Sequence, residues 1–291
     1  MKRKALAMAV LTTLLWSGSY ILNKLAFQGG IGPLTLSGLR YAIASLFLFG
    51  IGAAGKQKMK SAPLPLGTVL LLGVLGYAVA QGLQYIGQTA LTPTQSSLFL
   101  SVGNTVMVMI ADRVWMRENQ GRGDLIKCLF LILGIVLYYF PWGTEKLSVT
   151  GMGFMLLSSV GYAVNMTLTR RIMRHHPVNT KRLVAQTMLV GAVVLLVAGL
   201  MTEGLPVITP RLLMVLAYLS LVSGALGFTL WTWSQKELTA FESSSINNLM
   251  LIEIAVMDFA FFRRTFSLLQ LAAIGIVFGS ILAIQKKRTS K

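Results

Sequence analysis

Two carboxylic acids stand inside one apolar stretch of the sequence, Glu253 and Asp258 in the segment LIEIAVMD. A third ionisable side chain, Arg40, stands in another apolar stretch near the N-terminal end. A charge among apolar residues requires a partner or marks a functional site, because an unpaired ion away from water costs several kcal/mol. At ~100° per helical residue, the two carboxylates point about 140° apart. We therefore expect them to have different roles.

Arg40 and Glu253 lie at comparable depths, ~10 Å below the outer ends of their stretches at 1.5 Å per residue. We predict that they form a structural ion pair, in which losing one partner costs more than losing both. Asp258 is shallower, and two roles stay open for it. It is either an outer-gate or substrate-amine contact, or a partner of Lys24 or Arg263 at the outer surface.

A proton-coupling role is also open for either acid. A carboxyl group in desolvated surroundings can titrate near neutral pH, whereas one held in a satisfied ion pair stays charged. Glu253 and Asp258 are therefore the candidates for coupling transport to protons.

The surrounding elements are apolar runs rather than a soluble core. The chain of 291 residues is 55% hydrophobic and 12% charged, whereas soluble domains are roughly 25% charged. A helix of about 20 apolar residues crosses a hydrocarbon core, and short links separate such runs here. The sequence predicts an all-α integral membrane protein with ten transmembrane helices at 5–27, 33–54, 66–86, 93–115, 125–141, 151–169, 183–201, 212–233, 241–262 and 267–285.

The sequence contains few residues that could bind a metal ion or a cofactor. Cys128 is the single cysteine, and His175 and His176 are the two histidines, adjacent in a polar link. That set excludes an intramolecular disulfide and a cluster of metal ligands. A phosphate-binding loop is also absent, because GRGD at 121–124 is too short for one. We predict no cofactor and no metal, and we do not expect an enzyme.

The net charge of +17 reports membrane orientation rather than nucleic-acid binding. Most basic residues collect on alternate links, beginning with Lys2, Arg3 and Lys4 and ending near the last run. This asymmetry is the positive-inside pattern. It predicts a multi-pass protein with both termini cytoplasmic and the lipid bilayer as its surroundings.

Two halves of the chain repeat each other. ALTPTQSS at 90–97 aligns with ELTAFESS at 237–244, and LILGIV at 131–136 aligns with AAIGIV at 272–277. We predict a five-helix repeat at 1–143 and a second at 144–291. Because five is odd, the second repeat enters the membrane inverted, an arrangement typical of secondary transporters.

Polar side chains recur at helical spacing inside these runs. Tyr77, Gln81 and Gln84 share one face of the third run. Uncompensated polar groups are costly in lipid, so such faces point inward, as helix–helix contacts or as a cavity wall. We favour a cavity wall for this stripe and helix contacts for Ser97 and Ser101. Trp16 fits a core or a cavity equally, and Trp231 also fits the interfacial aromatic belt. The predicted cavity residues are Trp16, Tyr20, Tyr77, Gln81, Gln84, Ser101, Asn104, Tyr162, Asn165, Phe228, Trp231, Asn247, Asn248 and Asp258.

LLWSGSYILNKLA at 14–26 and GPLTLSGLRYAIASL at 32–46 resemble the first two helices of the drug/metabolite transporter superfamily, in its EamA branch. The resemblance covers nearly the whole chain and implies transport of amino acids, other small metabolites or amphipathic drugs, often outward and usually across the inner (plasma) membrane. Glu253 matches a glutamate common in that family, whereas Asp258 has no counterpart and is the candidate for specificity. Asn104 and Ile254 stand where the family often has proline.

The sequence thus predicts a monomeric secondary transporter that moves a small organic solute by alternating access around a central cavity. Two other kinds of transport stay open, an efflux carrier for amphipathic cations and a passive facilitator or channel. A membrane-embedded enzyme is the least favoured alternative, because no His, Cys or paired-carboxylate set shares one membrane depth.

Overall fold

The computed structural model describes residues 2–54, 64–111, 113–114, 122–138, 140, 148–176 and 178–286. Over these residues the fold is helical and contains no strand. The helices are α1 (Lys2–Gln28), α2 (Pro33–Ala54), α3 (Leu66–Ala90), α4 (Pro93–Ala111), α5 (Arg122–Tyr138), α6 (Val149–His175), α7 (Thr180–Thr202), α8 (Pro210–Ser234), α9a (Ala240–Asn247), α9b (Met250–Phe262) and α10 (Leu268–Lys286).

Seven helices in this part of the chain are long and apolar enough to cross a membrane, namely α1 to α4 and α6 to α8. Side chains such as Leu46, Val256 and Phe261 are largely exposed on the outside of the bundle. An exposed apolar belt of this kind fits contact with lipid. The all-α membrane fold predicted from the sequence is confirmed, while the number of ten spans stays a prediction.

Local sequence signals set several helix starts. The side chains of Ser148, Asn179 and Thr209 accept hydrogen bonds from the backbone N–H of Gly151, Arg182 and Leu212. Each bond satisfies a donor that would otherwise be orphaned in the first turn of α6, α7 or α8.

The third helix of each half departs from regular α-helix at matching places. Val74–Gly82 in α3 and Tyr218–Gly227 in α8 are π-helical. Such stretches rotate the side chains that follow them and occur often at functional sites. Here they lie where α3 and α8 face the interior.

The helices of each half pack largely against helices of the other half. α2 packs on α7, α4 on α9, and α5 on α10, each helix beside its counterpart. α1 packs on α8 and α9, just as α6 packs on α3 and α4. Thr35 lies against Gly199 while Gly38, one turn later, lies against Leu196. The counterparts α2 and α7 therefore run in opposite directions.

Candidate substrate cavity

An elongated hollow between the two halves consists of two compartments. The α7 compartment is bounded by side chains of α1, α3, α6, α7 and α8, including Leu183, Val184 and Thr187 of α7. The α4 compartment is bounded by α1, α2, α3, α4, α6, α8 and α9, including Leu100 and Asn104 of α4.

Most residues predicted for a cavity lie on its walls. The α7 compartment contains Trp16, Tyr77, Gln81, Tyr162, Asn165, Phe228 and Trp231. The α4 compartment contains Trp16, Tyr20, Gln81, Gln84, Asn104, Tyr162, Phe228 and Asn247. Ser101, Asn248 and Asp258 line neither compartment.

Four side chains belong to both compartments and divide them: Trp16, Gln81, Tyr162 and Phe228. The Trp16 ring centroid lies 4.9 Å from that of Phe228 and 5.1 Å from that of Trp231, with tilted planes. A Cβ at Gly227 would lie 2.8 Å from Trp16 Nε1, so the indole needs a glycine at this point of α8. We call these four residues the partition.

Hydrogen bonds hold the polar wall in place. Tyr41 Oη donates to Gln81 Oε1 at 2.9 Å, and Gln84 Nε2 donates to Tyr20 Oη at 3.0 Å. Asn165 Nδ2 donates to the carbonyl oxygen of Leu72 at 2.9 Å, beside the π-helical stretch of α3. These bonds join helices as well as line the hollow, so the cavity and helix-contact interpretations both apply to the stripe.

Several buried polar atoms on the walls have no hydrogen-bond partner among the residues that the structure describes. They are Asn23 Oδ1, Asn104 Oδ1, Asn247 Oδ1, Tyr162 Oη, and both amide atoms of Gln235. Buried polar groups are normally satisfied, so atoms of this kind are available to a solute or to water. The α4 compartment is rich in free acceptors, and the α7 compartment offers one free amide.

Arg40 lines the α4 compartment and is 3% exposed. Its guanidinium donates to Tyr85 Oη and, at 2.7 Å, to Ser223 Oγ, and it lies 5.1 Å from the centre of the Tyr41 ring. The predicted pair with Glu253 is not formed. Among the described residues the one ion pair within 4 Å joins Lys2 and Glu242.

Glu253 has hydroxyl partners on α1 instead. Its carboxylate accepts from Ser17 Oγ at 2.6 Å and from Thr13 Oγ1 at 3.1 Å. The reason is the direction of packing: α9b lies against α1, while Arg40 reaches α3 and the π-helical stretch of α8. Equal depth in the membrane did not place the two charges on facing surfaces.

Asp258 lies outside the cavity, contrary to the prediction. It is 2% exposed, and its Oδ2 accepts from Thr94 Oγ1 at 2.5 Å and from Thr94 N at 3.3 Å. Asp258 thus satisfies donors in the first turn of α4. The alternative pairing with Lys24 or Arg263 is not present within ion-pair distance in the described chain.

Asn248 belongs to the contact between α4 and α9. Asn248 Nδ2 donates to Thr105 Oγ1 at 2.5 Å, and Thr105 Oγ1 donates to the carbonyl oxygen of Ser101 at 2.7 Å. Neither Ser101 nor Asn248 lines a compartment, which corrects the assignment of both to the cavity, while helix contacts stay a prediction for Ser101.

Sequence reasoning missed Asn23 and Gln235 as wall residues, although a signal existed for each. Asn23 follows Trp16 and Tyr20 at helical spacing and so shares their face of α1. Gln235 is the repeat counterpart of Gln88, which extends the polar stripe of α3.

The described residues hold no group of three or more His, Cys, Asp or Glu side chains that could bind a metal ion. Neither compartment is lined by an acidic side chain among the residues that the structure describes. The hollow can therefore bind solutes through rings, amides, hydroxyls and one guanidinium.

Comparison with known proteins identifies relatives of this arrangement. The model of the EamA-like transporter family matches residues 3–140 and again 149–285. The chain is 23% identical over 245 residues to an uncharacterized transporter, YyaM, of Bacillus subtilis, covering 80% of this chain and 78% of the relative. It is also 23% identical over 209 residues to an S-adenosylmethionine/S-adenosylhomocysteine transporter of Chlamydia trachomatis, covering 68% of this chain and 62% of that protein.

A solved crystal structure matches 97% of this chain and 95% of its own chain, with a TM-score of 0.75 and 17% sequence identity. At that identity the match establishes a shared fold and nothing about the solute.

Proposed function

We propose that this chain, which belongs to the EamA-like transporter family, is a secondary transporter that exports a small organic solute by alternating access around the two-compartment hollow. The family and the named relatives are transporters and not enzymes. The observation that supports the finer proposal is the hollow itself, a polar and aromatic space between the two halves.

Alternating access is supported by the relation between the halves. Residues 1–143 and 144–291 act as two repeats in this proposal. Thr94 of α4 meets Asp258 late in α9, and Thr105 of α4 meets Asn248 early in α9. α4 and α9 are therefore antiparallel counterparts, as α2 and α7 are. Inverted halves can exchange conformations and so give two access states of similar energy around one site.

The compartments divide between the two sides of the membrane in this proposal. Early residues of α3 and α7 and late residues of α6 and α8 line the α7 compartment. The basic links predict that both termini are cytoplasmic. In that orientation the α7 compartment lies towards the cytoplasmic side of the inner membrane. The α4 compartment then lies deeper and towards the outside, beyond the partition.

The mixed walls fit an amphipathic organic solute, and an amino acid or related metabolite is the leading class. The ring of Phe228 packs against Tyr77 and Trp16, with centroid distances of 5.3 Å and 4.9 Å, so the three rings form an aromatic surface that an apolar group of the solute can contact. Amide groups beside those rings supply hydrogen bonds to the polar part.

A second solute class, a purine-bearing metabolite, is favoured by Gln235. Gln235 is 1% exposed, and the nitrogen and oxygen of its side-chain amide have no partner within the described residues. A glutamine amide can bond an adenine edge with its donor and acceptor together, and the rings of Trp16 and Trp231 line the same compartment. One relative is named for S-adenosylmethionine and S-adenosylhomocysteine, which fits this class.

Proton coupling stays part of the proposal through Glu253. Its carboxylate is held by two hydroxyl groups and forms no described ion pair, so a proton can neutralise it without breaking a salt bridge.

Passive facilitation and efflux of amphipathic cations are the competing transport modes. The monomer is proposed as the transporting unit.

Counterflow in proteoliposomes, with and without a pH gradient, tests the carrier. A carrier gives saturable flux that an opposing gradient of unlabelled solute accelerates. Gln81→Ala should reduce flux at unchanged folded yield, because it removes a partition residue bonded to Tyr41. The matched control is Gln28→Ala, at the exposed end of α1. Ohmic conductance without saturation would overturn the carrier in favour of a channel.

A further inference from the structure

The α4 compartment contains a buried positive charge, Arg40, that has no negatively charged partner in the described part of the chain. Arg40 is 3% exposed and lies in the first half of a membrane helix. No carboxylate lies within ion-pair distance of it among the described residues, and no acidic side chain lines the compartment. Buried charges in membrane proteins normally have a partner or bind a charged ligand.

The guanidinium retains hydrogen-bonding capacity after its contacts with the protein. Arginine carries five N–H donors, and Tyr85 and Ser223 accept one bond each. The Nε atom is buried and has no hydrogen-bond partner among the described residues. Tyr85 and Ser223 belong to α3 and α8, so helices on either side fix the orientation of the group.

Other residues that line the α4 compartment present hydrogen-bond acceptors rather than donors. Asn23 and Asn104 are buried, and each has a side-chain oxygen without a hydrogen-bond partner in the described part of the chain. Within that part, Asn247 Oδ1, on α9a, is likewise unpaired. Amide oxygens accept hydrogen bonds and attract positively charged donors. The compartment therefore has an anion-binding pole at Arg40 and a donor-binding pole at the asparagines.

We propose that Arg40 binds the carboxylate of the transported solute, and that the asparagine oxygens receive its amino group. The proposal rests on the proposed transport function and narrows it to solutes with an α-amino-acid head group. The rest of the solute then lies against the partition residues that line the α4 compartment. A carboxylate accepts two parallel bonds from a guanidinium, which a lysine ammonium cannot reproduce.

The first test uses the unaltered protein, so it does not depend on the folding of a variant. Counterflow is measured with the free acids of phenylalanine, leucine and methionine and with the corresponding carboxamides. The amides keep the side chain and the amino group but lose the negative charge. We expect saturable flux of at least one free acid and at least 10-fold less of its amide, since a bond to a charged group is worth about a factor of 10 to 100.

The second test replaces the anchor. Arg40→Gln should lower the affinity for the transported acid roughly 10- to 100-fold and remove the preference over the amide. Arg40→Lys keeps the charge and should give a smaller loss. Arg211→Gln is the matched control, because it removes one positive charge from the exposed start of α8. Each variant is first checked for a monodisperse elution profile in detergent.

The outcomes separate the anchor from the carrier. Equal saturable flux of an acid and its amide would overturn the Arg40 anchor and leave the carrier intact. Retained acid preference in folded Arg40→Gln would do the same. Absence of saturable flux for all six compounds would overturn the anchor together with the proposed export of amino-acid-like solutes.

Discussion

Asp258 of α9b holds the first turn of α4 through Thr94, with its Oδ2 atom 2.5 Å from the hydroxyl and 3.3 Å from the backbone nitrogen. The same device occurs at α2, where Glu203 accepts from Leu34 N at 2.9 Å and from Thr35 N at 2.8 Å. Each carboxylate comes from the other half of the chain, so both bonds fasten one half to the other.

Asp258→Ala should therefore destabilise the protein rather than change its solute preference. Loss of a carboxylate that satisfies helix-start donors costs roughly 1–3 kcal/mol when the site is buried. Asp258→Asn keeps one acceptor oxygen and should cost less. Thermal unfolding of the purified variants in detergent measures the loss.

The matched control is Glu237→Ala, in a partly exposed position outside these caps. Normal stability combined with lost transport in Asp258→Ala would return Asp258 to the cavity role that the sequence predicted.

Gly38 provides a test of the contact between α2 and α7. A Cβ at Gly38 would lie 2.8 Å from Leu196 Cγ and 2.9 Å from the backbone nitrogen of Leu196. Backbone cannot rotate away as a side chain can, so Gly38→Ala should separate the helices and cost about 1–3 kcal/mol.

Gly50, in the same helix, is the control because a Cβ there would meet no atom within 4 Å. Gly50→Ala should be neutral or stabilise by up to about 1 kcal/mol, since alanine favours helix over glycine. Comparable melting temperatures for the two variants would contradict the close packing of α2 on α7.

Arg40 and Glu253 should behave as independent residues. Their side chains bond to different helices, Arg40 to α3 and α8 and Glu253 to α1. A double-mutant cycle of Arg40→Ala and Glu253→Ala should therefore give additive losses of stability, within about 0.5 kcal/mol. Recovery of folded yield in the double variant would restore the ion pair that the sequence predicted.

A sequence pattern shows which residues share a helix face, but it does not show which side chains of other helices they contact. Tyr77, Gln81 and Gln84 share one helix, so their spacing alone places them on a common face, and all three line the hollow. The partner of Arg40 depends on how α2 is rotated against three other helices. Residue depth along a helix carries no information on that rotation.

The family resemblance likewise predicted the fold more closely than the site. It implied a helical membrane transporter, which the family match confirms. It made Asp258 the candidate for specificity because Asp258 had no counterpart in the family. The structure shows that Asp258 accepts hydrogen bonds from Thr94 in the first turn of α4. Among the described residues, Gln235 lines the cavity instead, with both atoms of its side-chain amide unpaired.

Leu205 and Lys236 test the orientation on which the assignment of the compartments depends. Leu205 lies in the link between α7 and α8 and is 86% exposed, while Lys236 follows α8 and is exposed as well. One membrane helix separates them, so they must lie on opposite sides. The positive-inside pattern places Lys236 in the cytoplasm and Leu205 outside.

Single cysteines introduced at these two positions, in a Cys128→Ala background, can be labelled with a membrane-impermeant maleimide. In intact cells Leu205→Cys should react and Lys236→Cys should react only after the membrane is opened. The reverse labelling pattern would mean that the fold is unchanged but that its orientation in the membrane is opposite to the one proposed. The α7 compartment would then face outwards, and the direction proposed for the path from that compartment to Arg40 would be wrong.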